Sequence, residues 1–390
     1  MKKKVMALAV AGALAAPGAA LAQASSVQVF GTVYVEYAYA NQGSAPGVAG
    51  DLVNIDIMQT PGSEIGFKGE EAVGGGTSAW FQCTSTAAPN GNGAFGAGGV
   101  WCGRNSALGL KGGWGNAYAG NWDMPFKKVA GTVRIVSDTG IWGAGPMLFG
   151  GSGSVNSRGT PTQWSRRQAA SIFYDTPVWN GFQVFTGVST PSTSAEVGAT
   201  GNLSGAKSRM WSLAASYTNG PLYIMGGYEN HANFFPSGVS FAGSDNAWEV
   251  GAAYTFGPVK VGALYSRQKY ETTSTTNADV SVWNVAIDWK IQGPHELLVG
   301  YTKANDTRGT FGAVGGTQMG NRIYNAGAGN TGGKIWQVEY QYWLSKRTRV
   351  SGGYARVEND SNANYALGGL ATPRNGDNQD ALAVSIKHTF

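Results

Sequence analysis

The feature that most limits what this chain can fold into is a period-two alternation that recurs along it and runs out to its last residue. In the terminal segment Ala381 to Phe390, Leu382, Val384, Ile386, His388 and Phe390 share one parity; Ala381, Ala383, Ser385, Lys387 and Thr389 share the other. Successive side chains of a strand point to opposite faces, so this is a strand with one greasy face and one polar face. A strand at the end of a chain presents an unprotected edge unless something pairs with it. It is either the edge of a soluble sandwich or the closing stave of a barrel, where pairing with the first strand removes the edge altogether.

The start of the chain bears on that choice. Met1 to Ala22 reads as a secretory signal peptide, with Lys2, Lys3 and Lys4 as the charged region, Val5 to Ala16 as the apolar stretch and Ala20-Leu21-Ala22 as the cleavage site. The stretch is short, Ala-rich and broken by Pro17, unlike a spanning helix. The mature chain is expected to be residues 23–390, one barrel domain. No other stretch approaches the ~20 apolar residues of a membrane helix, so an exported chain of this kind enters a membrane only as a barrel. With 60 glycines and 13% charged residues it is unlike a compact α/β enzyme, which carries about 25% charged residues. Losing three lysines with the signal lowers the formal charge from +5 to +2, and no polybasic footprint for nucleic acid remains. Cys83 and Cys102 flank a Gly/Asn/Ala-rich segment, and export favours a disulfide between them over two free thiols.

Sixteen strands can be counted. They are Val27 to Ala40, Ser63 to Glu70, Thr77 to Thr84, Asn105 to Lys111, Asn116 to Trp122, Gln168 to Asp175, Gly181 to Val188 and Met210 to Thr218. Then come Leu222 to Asn230, Ala247 to Phe256, Val259 to Tyr270, Val280 to Ile291, His295 to Ala304, Lys334 to Trp343, Thr348 to Glu358 and Ala381 to Phe390. Asn41 to Pro61 reads as loop, and Asp123 to Arg166 as a long Gly-rich excursion. Every short turn follows an even-numbered strand and every long polar loop an odd one, the layout of an outer-membrane barrel. Tyr37, Tyr39, Trp122, Trp248, Trp289 and Tyr342 are candidates for the aromatic girdles at the two interfaces, or for ordinary packing. A barrel of sixteen strands is too wide for its own side chains to fill and leaves an aqueous channel.

Six stretches carry a resemblance: Val29 to Tyr34, Gly66 to Gly69, Gly109 to Gly115, Asp123 to Phe126, Ser171 to Tyr174 and Leu344 to Thr348. With the terminal Phe390, they make the mature chain resemble, over essentially its whole length, the trimeric general diffusion porins of beta-proteobacteria, neisserial and comamonad porins among them. The resemblance implies an all-β, 16-stranded antiparallel transmembrane β-barrel whose third external loop, here Asp123 to Arg166, folds inward. It implies a homotrimer in the bacterial outer membrane, in contact with lipid and lipopolysaccharide, with Phe390 read by the outer-membrane assembly machinery. In the family, acidic residues on the third loop face basic residues on the wall. Arg104 and Arg167 match arginine positions, Asn121 stands where members often carry arginine, and Ala170 where Asn is usual. The expected constriction is Arg104, Asp123, Arg134, Asp138 and Arg167. Strand parity puts Arg167 on the lumen face with Ala169 and Ser171. It also offers Glu36, Lys68, Lys111, Asp288 and Glu339 as pore-lining residues, together with Glu64, Glu249, Glu296, Lys290, Arg349 and Lys387. Basic residues outnumber acidic ones at the constriction, so a weak anion preference follows.

An enzyme in a barrel finds little support. His231, His295 and His388 are scattered, no Ser-based motif accompanies them, and no Cys/His spacing suits a metal, so neither catalysis nor a cofactor is expected. The alternatives on the same barrel are a substrate-specific channel for a sugar or organic acid, or an adhesin. Trp142, Phe149 and Trp164 on the third loop could stack on a sugar or could pack the loop against the wall.

Overall fold

The computed structural model describes residues 27–43, 54–91, 101–136, 139–149, 164, 166–190, 209–232, 243–271, 275–309 and 329–390. The strands are β1 (Gln28–Asn41), β2 (Ile55–Gln59), β3 (Glu64–Gly74), β4 (Thr77–Thr86), β5 (Ser106–Gly112), β6 (Gly115–Asp123), β7 (Arg167–Asp175), β8 (Phe182–Ser189) and β9 (Arg209–Asn219). They continue as β10 (Leu222–Ala232), β11 (Ser244–Phe256), β12 (Val259–Glu271), β13 (Asn277–Lys290), β14 (His295–Ala304), β15 (Arg308–Gly309), β16 (Gly333–Trp343), β17 (Thr348–Asn359) and β18 (Gln379–Thr389). Two short helices, α1 (Pro125–Ala130) and α2 (Gly145–Phe149), lie between β6 and β7.

All strands pair antiparallel with their neighbours, and β1 pairs with β18 in a register from Thr32↔Thr389 to Asn41↔Asp380. The sheet is therefore closed and has no free edge. Phe390 completes the seam: its backbone exchanges hydrogen bonds of 3.0 and 3.2 Å with Gly31. Its ring lies over Gly31, where a Cβ would come within 2.6 Å of it. Eighteen segments form sixteen staves because two staves are interrupted. β2 and β3 both pair with β1, and β15 prolongs β14 along β13. The expected loop Asn41 to Pro61 thus contains the outer half of a stave. Pro61-Gly62 reads as a turn in sequence, but Ser63 bridges the break. Its Oγ accepts from the Tyr34 N–H and donates to the Tyr34 carbonyl, both at 2.9 Å, in place of ladder bonds.

The burial pattern is inside out. On β18 Leu382, Val384 and Ile386 are 62%, 59% and 49% exposed, while on β16 Gln337, Glu339 and Gln341 are 1%, 2% and 3% exposed. A soluble sandwich would bury the first set and wet the second. A bilayer reverses the preference on the outer wall. The girdle candidates Tyr37, Tyr39, Trp248, Trp289 and Tyr342 stand on the outer face. Trp122 does not: it packs edge-on against Trp80 and Tyr118 at 5.7 and 5.5 Å, on the inner face. Short turns such as Gly220-Pro221 and Gly257-Pro258 gather at one end of the barrel, and the strand ends that lead into the long connections lie at the other.

Candidate functional site

The inner wall and the loop between β6 and β7 make the site. The loop leaves and rejoins the wall at one place, where the Met124 N–H donates to the Arg166 carbonyl at 3.2 Å. Pro125 opens α1, at the first helical turn where its missing N–H is not needed. The next orphan donor, the Phe126 N–H, is taken by Ser212 Oγ of β9 at 3.0 Å. From there the loop follows the inside of the barrel. Tyr223 of β10 donates to the Val129 carbonyl at 2.9 Å and Lys260 of β12 to that of Thr132 at 2.8 Å. Gln337 of β16 donates to the Trp142 carbonyl, and Gln268 of β12 to that of Leu148 at 2.6 Å. Glu36 of β1 accepts from the Ile141 N–H at 2.8 Å. Only the inner face of a closed sheet lets one loop touch staves this far apart. The wall makes room with glycines: a Cβ at Gly262 would sit 2.3 Å from the Val133 carbonyl oxygen, and one at Gly300 2.7 Å from Val136.

Trp142 and Trp164 are fully buried. Trp164 stacks on His231 at 4.2 Å and donates to Tyr270 at 2.8 Å, so both tryptophans fasten the loop to the wall. His231 belongs to β10 rather than opening a loop, and its Nε2 lies 2.9 Å from Glu229 Oε1. Among the described residues no group of His, Cys, Asp and Glu could hold a metal ion.

The expected constriction residues are brought partly together. Asp123 is held by Lys127 at 2.8 Å, by Arg167 at 3.4 Å and by Asn105 at 3.0 Å. Arg167 also donates to Asn105 Oδ1. The parity argument for Arg167 fails, because β7 bulges between Gly120↔Ser171 and Trp122↔Gln168. The extra residue inverts the alternation, so Gln168, at 1% exposed, shares the inner face with Ser171, and Arg167 at the strand's end reaches Asp123 and Asn105 through its long side chain, not by parity. Arg104 reaches Glu64 at 2.7 Å, and Asn121, at the substituted arginine position, donates to the carbonyls of Gly103 and Arg104, each at 3.0 Å. Arg134 is buried and donates to the Lys127 carbonyl at 3.3 Å. Asp138 and the Phe149 side chain lie outside the described residues.

Among the described residues the loop supplies the bases Lys127, Lys128, Arg134 and Arg166; Lys127 meets Asp123 at the loop's start and Lys128 meets Asp175 of β7 at 2.6 Å. Of the pore-lining candidates, Glu36 is fully buried as a loop fastening and Glu339 pairs with Arg349 at 3.2 Å. Asp288 faces Lys260 across the ladder. Lys111 pairs with Glu70 at 2.6 Å, and the Lys68 ammonium lies 5.0 Å from the Phe30 ring. Cys83 and Cys102 are disulfide-bonded.

Sequence reasoning missed an inner-face aromatic cluster of Trp80, Tyr118 and Trp122, with Phe173 stacked on Tyr118 at 4.9 Å. The signal was available: Trp80 shares parity with Gln82, and Tyr118 and Trp122 share it with Asn116. Beside the cluster, between β1 and β3 to β6, is a cavity of about 580 Å³.

Three comparisons bear on this architecture. The family profile described as Gram-negative porin matches residues 7–362. The outer membrane porin protein 32 of Delftia acidovorans is 27% identical over 404 residues, covering 100% of both chains. The major outer membrane protein P.IB of Neisseria gonorrhoeae is 30% identical over 183 residues, 47% of this chain and 46% of its own. Among solved structures, the anion-selective porin from Comamonas acidovorans superposes with a TM-score of 0.72 at 20% identity, over 94% of this chain and 100% of its own. The relatives are channel proteins rather than enzymes.

Proposed function

This chain belongs to the Gram-negative porin family, an outer-membrane barrel for passive diffusion of small hydrophilic solutes and ions, and we propose that its channel is trimeric and weakly anion-preferring. The observation that carries the channel reading is the closed sixteen-stave sheet with its apolar residues outside and its polar residues inside. The anion preference rests on charge balance at the narrowest region. Low-dielectric walls focus the field of a few groups there. Lys127 and Arg167 both reach the carboxylate of Asp123, so two basic groups of the described residues flank one acid there. Arg104 is paired with Glu64 and adds little to the local field. The description of the comamonad structure as anion-selective agrees with this sign.

The test is the reversal potential across a salt gradient in a planar bilayer. Arg167→Ala should move it toward cations and Asp123→Asn toward anions. Both shifts should fade at high salt, since the Debye length is about 10 Å at ~0.1 M and about 3 Å at 1 M. An unchanged low-salt potential in Arg167→Ala would remove this cluster from the selectivity filter.

Three further assignments complete the reading. Residues 1–22 are the removed signal and 23–390 the barrel domain. Phe390, seated at the closing seam, is the group the assembly machinery recognises. The apolar outer wall meets neighbouring barrels, lipid and lipopolysaccharide.

A further inference from the structure

The cavity between β1 and β3 to β6 lies toward the short-turn end of the barrel, away from most of the third loop's fastenings. Gln28, Lys68, Glu70, Trp80, Lys111 and Asn116 line it, with Gln82 and Trp122 above. Its volume, about 580 Å³, is in the range of small-molecule sites, roughly 300–1,000 Å³.

Trp80 is held flat and in one orientation. Its Nε1 donates to Asn116 Oδ1 at 2.8 Å, and its ring packs T-shaped against Trp122 and tilted against Tyr118. It lies over Gly109 of the neighbouring strand, where a Cβ would come within 2.7 Å of both Cε2 and Nε1. The indole thus covers the wall at Gly109 and lines the cavity. Charge in the cavity does not cancel. Lys111 is neutralised by Glu70 at 2.6 Å, whereas Lys68 makes no ion pair among the described residues and is steadied only by the Phe30 ring. Gln28 and Asn116 bring amide donors to the same space.

A rigid aromatic platform, one uncompensated ammonium and amide donors make a built set for a planar body bearing one negative charge. We infer that this cavity is a transit subsite for small aromatic carboxylates, the ring on Trp80 and the carboxylate on Lys68. It rests on the channel reading and goes beyond passive diffusion by giving the lumen a preferred solute class. A neutral sugar would use the platform but leave the ammonium unanswered, and acetate would do the reverse.

The experiment is single-channel recording of the full-length mature protein in potassium chloride, with benzoate, acetate, benzamide and maltose added in turn at constant ionic strength. Benzoate should interrupt or reduce the current at concentrations about tenfold below those acetate needs, and benzamide and maltose should do less than benzoate. Trp80→Ala and Lys68→Gln should each raise the half-blocking benzoate concentration about five- to tenfold, while Trp80→Phe keeps most of the block. Lys346→Gln, on an exposed turn, should leave it unchanged. If Trp80→Ala gives no channels, Lys68→Gln and Trp80→Phe decide the question. Stepwise current in which benzoate acts no better than acetate, benzamide or maltose sinks this inference alone. An absence of stepwise current sinks the channel reading and this inference with it.

Discussion

Replacing Glu36 by Ala should unseat the third loop. Glu36 is fully buried and accepts three hydrogen bonds: from the Ile141 N–H at 2.8 Å, from Gln59 Nε2 at 2.6 Å and from the Tyr34 hydroxyl at 3.0 Å. Of the three, only the bond from Ile141 joins the loop to the wall, since Tyr34 and Gln59 lie on β1 and β2. A hydrogen bond to a charged acceptor is worth about 2 kcal/mol, so the seated loop loses roughly that much. Since about 1.4 kcal/mol is a factor of ten, the population with this part of the loop detached should rise roughly thirtyfold. The other fastenings, from Tyr223, Lys260, Gln268 and Gln337, lie on other staves and should hold. The detachment is therefore local. Amide hydrogen exchange at Ile141 should accelerate by about that factor, while the amide of Phe126, held by Ser212 on the far wall, should not change. Channel recordings should show added flicker. Glu36→Gln keeps one acceptor oxygen and should fall between wild type and Ala. If Ile141 exchange in Glu36→Ala stays within a few-fold of wild type, Glu36 is not the loop's fastening and the reasoning fails.

Three other outcomes are expected. Ala170 adopts a left-handed backbone, φ 51°, at the β7 bulge, so Ala170→Asn should stabilise the barrel by about 1 kcal/mol, read as later heat-induced loss of native gel mobility. An earlier loss would contradict the strain argument. The bond between Cys83 and Cys102 spans a sequence separation of 19, so Cys102→Ser should cost about 3 kcal/mol by the chain-entropy model, and non-reducing mass spectrometry should find no free thiol. Unheated gel migration should correspond to a trimer; native mass spectrometry at monomer mass in mild detergent would argue against one.

Much of the fold was legible because alternation is a local property. In β13, Trp283, Val285, Ile287 and Trp289 alternate with Asn284 and Asp288, and the structure keeps those faces apart as counted. The errors fall where counting is interrupted. β2 was hidden behind Pro61-Gly62, because nothing local announces that Ser63 will stand in for the ladder. Arg167 was placed by a count that runs through a bulge, and one extra residue inverts every assignment beyond it. Trp122 reads as a girdle candidate because aromatic residues near strand ends often belong there, although its parity with Tyr118 points inward, where the structure packs it.

By itself the sequence determined the closed barrel, its inside-out wall and the assignment of long and short connections to opposite ends. Each follows from residue order, since polarity along a strand already says which face meets hydrocarbon and which meets water. Only the tertiary structure decided what the polar face is used for. Glu36 reads as a solute-facing group but, like Gln268 and Gln337, it binds the backbone of the third loop. Lys128 of that loop pairs with Asp175 of the wall. Such pairings join residues from 47 to 195 positions apart, and no local pattern encodes them. They exist because a closed sheet forces distant staves to share one confined interior, where a buried donor or charge must find whatever partner the opposite side provides.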